Sequence, residues 1–257
     1  QMHAHAHLGG IGFFLLMIVA VSYKLVPMFA LSEVQHARRA GASIALLNAG
    51  LIVVFLTVLL NSPWKLAGAV ITVAGLAIYG WEMRAILRAR KRKQLDWGLK
   101  YFLTALSLLA PLSILGLVLS WPGLPATALT TQLENVYGFV ALAGVVTLAI
   151  LGMLYKIVPF LAWYARYSPL VGRAKVPSLA DMYSTRLQAV SYWMFLPGFV
   201  AASVATAFGC APAVQWSCAV LAGGVLVFAV NMGLILAHLI RPKSQTPALR
   251  PAWQGNL

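Results

Sequence analysis

Charge is scarce in this sequence. Asp, Glu, Lys and Arg make up 9% of its 257 residues, and only five of them are acidic. Soluble domains carry roughly a quarter charged residues. With 61% hydrophobic residues and a mean hydropathy of +0.85, no soluble core can absorb the apolar surface. Cysteine is equally sparse, with Cys210 and Cys218 alone. Both fall near the end of one apolar run and the start of the next, where a disulfide is chemically permitted if that side faces an oxidising compartment. Nothing else in the sequence supports a bridge, and as small apolar residues they need no function. No positively charged segment precedes the first apolar run, so a signal peptide is not expected. A chain that starts Gln1-Met2 leads us to expect residues upstream.

What the sequence does have is long apolar runs, each near the roughly twenty residues that cross a bilayer as a helix. Inside a membrane every backbone polar group must be satisfied within the protein, which leaves helices or a closed barrel. These runs are continuous rather than alternating, so they are read as helices. The expected spans are residues 8–29, 42–61, 66–84, 101–120, 136–158, 187–208 and 216–239. The fold class is therefore all-α, a polytopic membrane helix bundle of about seven transmembrane helices. The lipid bilayer is its first partner.

The formal charge of +14 could point to nucleic acid, but its placement points elsewhere. Given these spans, every Lys and Arg except Lys65 falls on one side of the membrane. That is the positive-inside pattern, and nucleic acid is not an expected partner. The basic connections around Arg38 and Arg39, residues 84–100 and residues 163–186 then lie in the cytoplasm, as does the tail after Arg241. The N-terminus lies on the outer, periplasmic side of a bacterial inner membrane. Residues 84–100 are expected to be a helical extension or a basic loop. Lys24 follows His7 by about 25 Å at the α-helical rise, which puts it at the inner interface, where its stem can snorkel to the headgroups.

An internal repeat appears at an offset of 132 residues. Tyr23-Lys24-Leu25-Val26-Pro27 recurs as Tyr155-Lys156-Ile157-Val158-Pro159, and Gly12 recurs as Gly144. A period of this length bears on architecture before function. It divides a single transmembrane domain into a first four-helix repeat, residues 1–132, and a second, incomplete one, residues 133–243, followed by a tail, 244–257. The second copy has Tyr137 and Phe139 where the first has His5 and His7, so metal chemistry is expected only in the first.

The first span opens His3-Ala-His5-Ala-His7-Leu-Gly9-Gly10-Ile-Gly12 and closes on Tyr23, Lys24 and Pro27. Neutral imidazole is the commonest metal ligand, and axial histidine is a usual way to hold haem iron. Residues two apart on an α-helix point about 200° apart, so His5 and His7 cannot ligate one iron from the same side. The alternating run could also be a surface copper or zinc site that includes His3, or the histidines could simply be interfacial.

The register His5-x-His7-x-Gly9-x-x-Gly12-Phe13, followed by Tyr23-x-x-Val26-Pro27, resembles one helix of the catalytic subunit I of haem-copper oxidases. The likeness is to the cbb-type branch and its nitric oxide reductase relatives. The resemblance implies b-type haem, with His5 as proximal ligand of a high-spin haem and His7 as a ligand of a low-spin haem. Gly9 and Gly12 would let the macrocycle approach closely. It further implies membrane or cytochrome subunits as partners and a place in respiratory electron transfer. It also resembles the family in orientation, since there this helix runs inward from the outer side. Tyr183-Ser184-Thr-Arg186-Leu187, leading into Tyr192, Trp193 and Phe195, is a further short likeness.

The sequence departs from that family in its missing ligands. It has no His-His pair, and its other histidines, His36 and His238, belong to the opposite membrane face. Glu134 is the only acidic residue expected on the outer side, so no carboxylate cluster replaces copper with non-haem iron. Copper is thus not supported by this chain, and oxidoreductase chemistry of the cytochrome c oxidase type requires ligands from elsewhere. Two further readings remain open: a metal or haem transporter with His3, His5 and His7 at its entry, and a non-catalytic membrane anchor of a larger complex.

Overall fold

The computed structural model describes residues 2–172 and 175–240. Among them are seven helices long and apolar enough to cross a membrane. They are α1 (Met2–Ala30), α2 (Ala37–Leu59), α3 (Lys65–Arg88), α4 (Trp97–Leu119), α5 (Ala128–Leu170), α6 (Thr185–Ala207) and α7 (Ala211–Ile240). The chain is a multi-pass membrane protein. The expected tail 244–257 lies outside the described residues.

Six of the helices fall close to the apolar runs. The exception is α5, which extends well beyond 136–158 at both ends. At its start, Thr127 and Thr130 form a reciprocal capping box, which satisfies first-turn N–H groups and lets a polar turn precede the apolar one. At its other end the helix runs through Pro159 into Trp163-Tyr164-Ala165-Arg166-Tyr167. There Ala162 and Tyr167 are buried beside Met182 and Ile235, so packing continues a helix that hydropathy would stop. Residues 89–96 are not helical: α3 ends at Arg88, and Asp96 caps α4 by accepting from the Leu99 N–H at 3.0 Å. In α4 the helix breaks at Leu108. Pro111 has no N–H to give the Ser107 carbonyl, which removes one helical bond there.

The helices pack as two similar groups. In one, α2 lies along α3 with α1 against both; in the other, α6 lies along α7, with α5 against α7. Close approach at matching glycines sets both pairs. A Cβ on Gly50 would stand 2.8 Å from the Thr72 nitrogen, and one on Gly198 would stand 2.8 Å from the Leu221 nitrogen. Small residues let backbones approach this closely, as is usual between membrane helices. Helix α4 belongs to neither pair and crosses α5, where Gly98 and Gly152 bring the two backbones together.

The correspondence reaches individual side chains. Tyr23 packs edge-on to Tyr79, with ring centroids 5.5 Å apart, and Tyr155 packs likewise on Phe228 at 4.8 Å. Gly12 faces Leu51, and Gly144 faces Phe199. Both α1 and α5 also contain a π-helical stretch, Leu8–Leu15 and Val140–Val146. The Leu16 N–H, for example, bonds to the Ile11 carbonyl, where a regular α-helix would have it bond to that of Gly12. Such wide turns are rare and frequent at functional sites.

Candidate functional site

The three histidines occupy the first two turns of α1, which are regular α-helix up to His7 before the π-helical stretch begins. Ala4 is buried against α2 and turns this end of the helix inward on one side. His3 and His5 are exposed, whereas His7 is half-buried. The His7 ring stacks on Tyr137 of α5, centroids 6.1 Å apart and planes 26° from parallel. This places His7 at the junction of α1 and α5, and His5 on the other side of the helix.

His7 Nδ1 lies 2.7 Å from the backbone carbonyl oxygen of His3. A carbonyl only accepts, so Nδ1 carries the proton and the neutral ring keeps its lone pair on Nε2. Metal-ligating histidines commonly hold their second nitrogen this way, which fixes both tautomer and ring orientation. His3 therefore contributes its backbone, and His7 is left with one preset donor atom. No comparable bond orients His5 among the described residues.

The glycines divide into two roles. A Cβ on Gly9 or Gly10 would meet nothing within 4 Å, so the helix face beside them is open. A Cβ on Gly12 would come 2.9 Å from Leu51 Cδ2 of α2. Gly12 is thus filled from behind by another helix, and Gly144 does the same work opposite Phe199 without any histidine nearby. The helix surface left open next to the histidines lies at Gly9 and Gly10.

Among the described residues, no three His, Cys, Asp or Glu side chains gather into a metal-binding group. His36 is at the far end, with Nδ1 3.3 Å from a Glu82 carboxylate oxygen. His238 is buried there too, 2.8 Å from the Tyr167 hydroxyl. Glu134 is exposed on α5, and Cys210 and Cys218 are free thiols. The donor set at the histidine end fits a cofactor that brings its own equatorial ligands and asks the protein for an axial one. A metal ion needing three or four side chains is poorly served. The clefts at Trp97, Lys100 and Tyr192 and at Pro111, Val136 and Phe199 border other helices.

Three polar features were not singled out from the sequence. Glu82, fully buried on α3, accepts the Gln35 and His36 N–H groups at 2.7 Å each and approaches Arg39 at 3.7 Å. Asp96 pairs with Lys156 of α5. Ser22 and Tyr79 join by a 2.7 Å hydroxyl bond, with Tyr23 and Ser43 beside them at 2.8 Å. A solitary acid flanked by basic residues at a span end is the signal that could have flagged Glu82 and Asp96.

No family, curated protein or solved structure matches this chain.

Proposed function

We propose that this chain is a haem-binding integral membrane protein of the haem-copper oxidase subunit I type, acting in respiratory electron transfer. The observation that carries the reading is the His7 Nδ1 to His3 carbonyl bond, which leaves Nε2 as an oriented axial donor, with the helix surface open at Gly10 three residues on. When bound, a b-type haem would supply one-electron redox chemistry tuned by its axial ligand and its burial. This chain's part is to hold the donor atom and to offer a side-chain-free surface, at Gly10 on the His7 side of the helix and at Gly9 on the His5 side. Tyr137 limits rotation of the ring. His5, on the opposite side of the helix, is the ligand for a second, high-spin haem in the same reading.

Reduction of oxygen or nitric oxide would need a second metal beside the iron, and the described residues do not provide its ligands. Electron transfer is the chemistry that the described residues support. In the same reading His7 lies on the periplasmic side of a bacterial inner membrane and the basic loops lie in the cytoplasm, which the positive-inside pattern supports. An optical spectrum of the purified, reduced protein tests the proposal. A Soret band with a sharp α-band that disappears in His7→Ala supports it; no Soret band in haem-replete membranes overturns it.

A further inference from the structure

The likeness between α1 and α5 ends at one face. On α5, the stripe Val145, Ala149, Gly152 and Lys156 is closed. Val145 and Ala149 are each only 3% exposed. Helix α4 crosses this stripe: the Gly98 carbonyl oxygen would stand 2.6 Å from a Cβ on Gly152, and Asp96 at the first turn of α4 pairs with Lys156. The stripe on α1 at the corresponding positions is Phe13, Met17, Ala20 and Lys24. All four are exposed, Phe13 by 56% and Met17 by 48%. Among the described residues no carboxylate pairs with Lys24.

From this we infer that the Phe13–Met17–Ala20–Lys24 face of α1 docks a transmembrane helix of a partner polypeptide, antiparallel to α1, with a small residue at the crossing and a carboxylate at its first turn. Three properties of the face specify that occupant. Ala20, standing where α5 has Gly152, leaves a shallow point for close backbone approach. Lys24 sits one turn further along, where α5 has Lys156, and its charge calls for an acid on the incoming helix at the position of Asp96. The flexible, apolar Phe13 and Met17 complete a surface able to adapt to an irregular partner. Lys24 sits at the inner interface without a carboxylate partner among the described residues; an acid delivered by a neighbouring helix would pair with it as Asp96 of α4 pairs with Lys156.

The test uses the full chain in lipid vesicles and, as surrogate partner, a synthetic peptide with the sequence of residues 94–120. That segment contains the Asp96, Gly98 and Tyr101 with which α4 meets α5. With Cys210 and Cys218 replaced by serine and an acceptor dye on the peptide, a fluorophore on Met17→Cys reports docking by energy transfer, and one on Leu226→Cys, on an exposed flank of α7, reports non-specific proximity. Expected is transfer at position 17 in excess of position 226. It should weaken about tenfold with Lys24→Leu in the protein or with Asp96→Asn in the peptide, the scale of one polar interhelical contact. A peptide carrying Asp96→Lys should regain affinity for Lys24→Asp. Ala20→Phe should abolish docking while leaving the thermal midpoint unchanged. Equal transfer at both positions, or indifference to Lys24→Leu, overturns the inference. So does self-association of the chain through this face without response to the peptide, which would make the occupant a second copy.

Discussion

Glu82 and Asn231 hold the same post in the two helix pairs. Glu82 on α3 takes the N–H groups of Gln35 and His36 that open α2, and Asn231 on α7 takes the N–H of Ser184 that opens α6, at 3.0 Å. Asn231 also donates to the Ser184 carbonyl at 3.0 Å. One cap is ionic, with His36 and Arg39 at its side, and the other is neutral. The first N–H groups of a helix have no partner of their own, so both side chains satisfy a need that the helix creates.

The difference in charge sets the first prediction. Glu82→Gln keeps an acceptor for α2 but drops the pairing to His36 and Arg39, whereas Glu82→Leu leaves the N–H groups and Arg39 without it. We expect Glu82→Leu to destabilise the protein by about 1–3 kcal/mol, the combined scale of a lost cap and a stranded buried partner, and Glu82→Gln by less. Denaturation of the detergent-solubilised protein measures both; equal losses would show that the carboxylate charge rather than the cap matters.

Gly9 and Gly12 should respond differently to enlargement. Gly12→Leu collides with Leu51 and should lower stability by about 1–3 kcal/mol, the usual cost of overpacking. Gly9→Leu meets open space and should leave the thermal midpoint in place while reducing haem occupancy. A pyridine haemochrome assay read beside the melting curve separates the two. Undiminished haem in Gly9→Leu would remove the open face from the proposed site.

His7 and His5 should differ spectroscopically. Under the proposed reading, with the second axial ligand of the low-spin iron supplied from outside the described residues, His7→Ala abolishes a sharp low-spin α-band, while His5→Ala leaves it and removes any haem that binds carbon monoxide. Identical spectra from the two variants would sink the two-haem assignment and leave a single haem or none.

Orientation is open to direct measurement. In a chain with Cys210 and Cys218 replaced by serine, cysteine placed at Arg90 should react with an impermeant reagent from the cytoplasmic side only, and cysteine placed at Ala126 from the periplasmic side only. Labelling of both from the same side contradicts the charge-based topology.

Asp181 gives a pH-dependent element outside the membrane. The Ser178 N–H and hydroxyl donate to its carboxylate at 2.9 and 2.7 Å, which holds the group below its ordinary value of 3.8. A carboxylate with a depressed value stabilises the turn at pH above the ordinary value, and that stabilisation is lost as pH falls through the lower folded one. Hydrogen exchange at the Ser178 amide should therefore be slow at neutral pH and speed up, beyond the intrinsic rate change, only below about pH 4. In Asp181→Ala it should be fast throughout.

The fold class, the number of spans and the alternation of basic ends were legible in the chain alone, because bilayer thickness and the cost of burying charge act on local composition and need no tertiary contacts. The short repeat at Tyr23 and Tyr155 was equally visible, since its residues are nearly identical. The rest of the correspondence was hidden. Glu82 and Asn231, Tyr79 and Phe228, or Leu51 and Phe199 share a place but not a residue type, and a longer connection before α6 shifts the offset, so only packing reveals them. The histidine motif was legible as a run of potential ligands. Which of them is oriented was settled by a carbonyl one helical turn away and by Tyr137 from a distant helix. Gly12 reads as room for a ligand, and only the folded chain shows that Leu51 of a neighbouring helix stands where its Cβ would be. Open space beside a helix belongs to its neighbours, and a one-dimensional pattern does not say who they are.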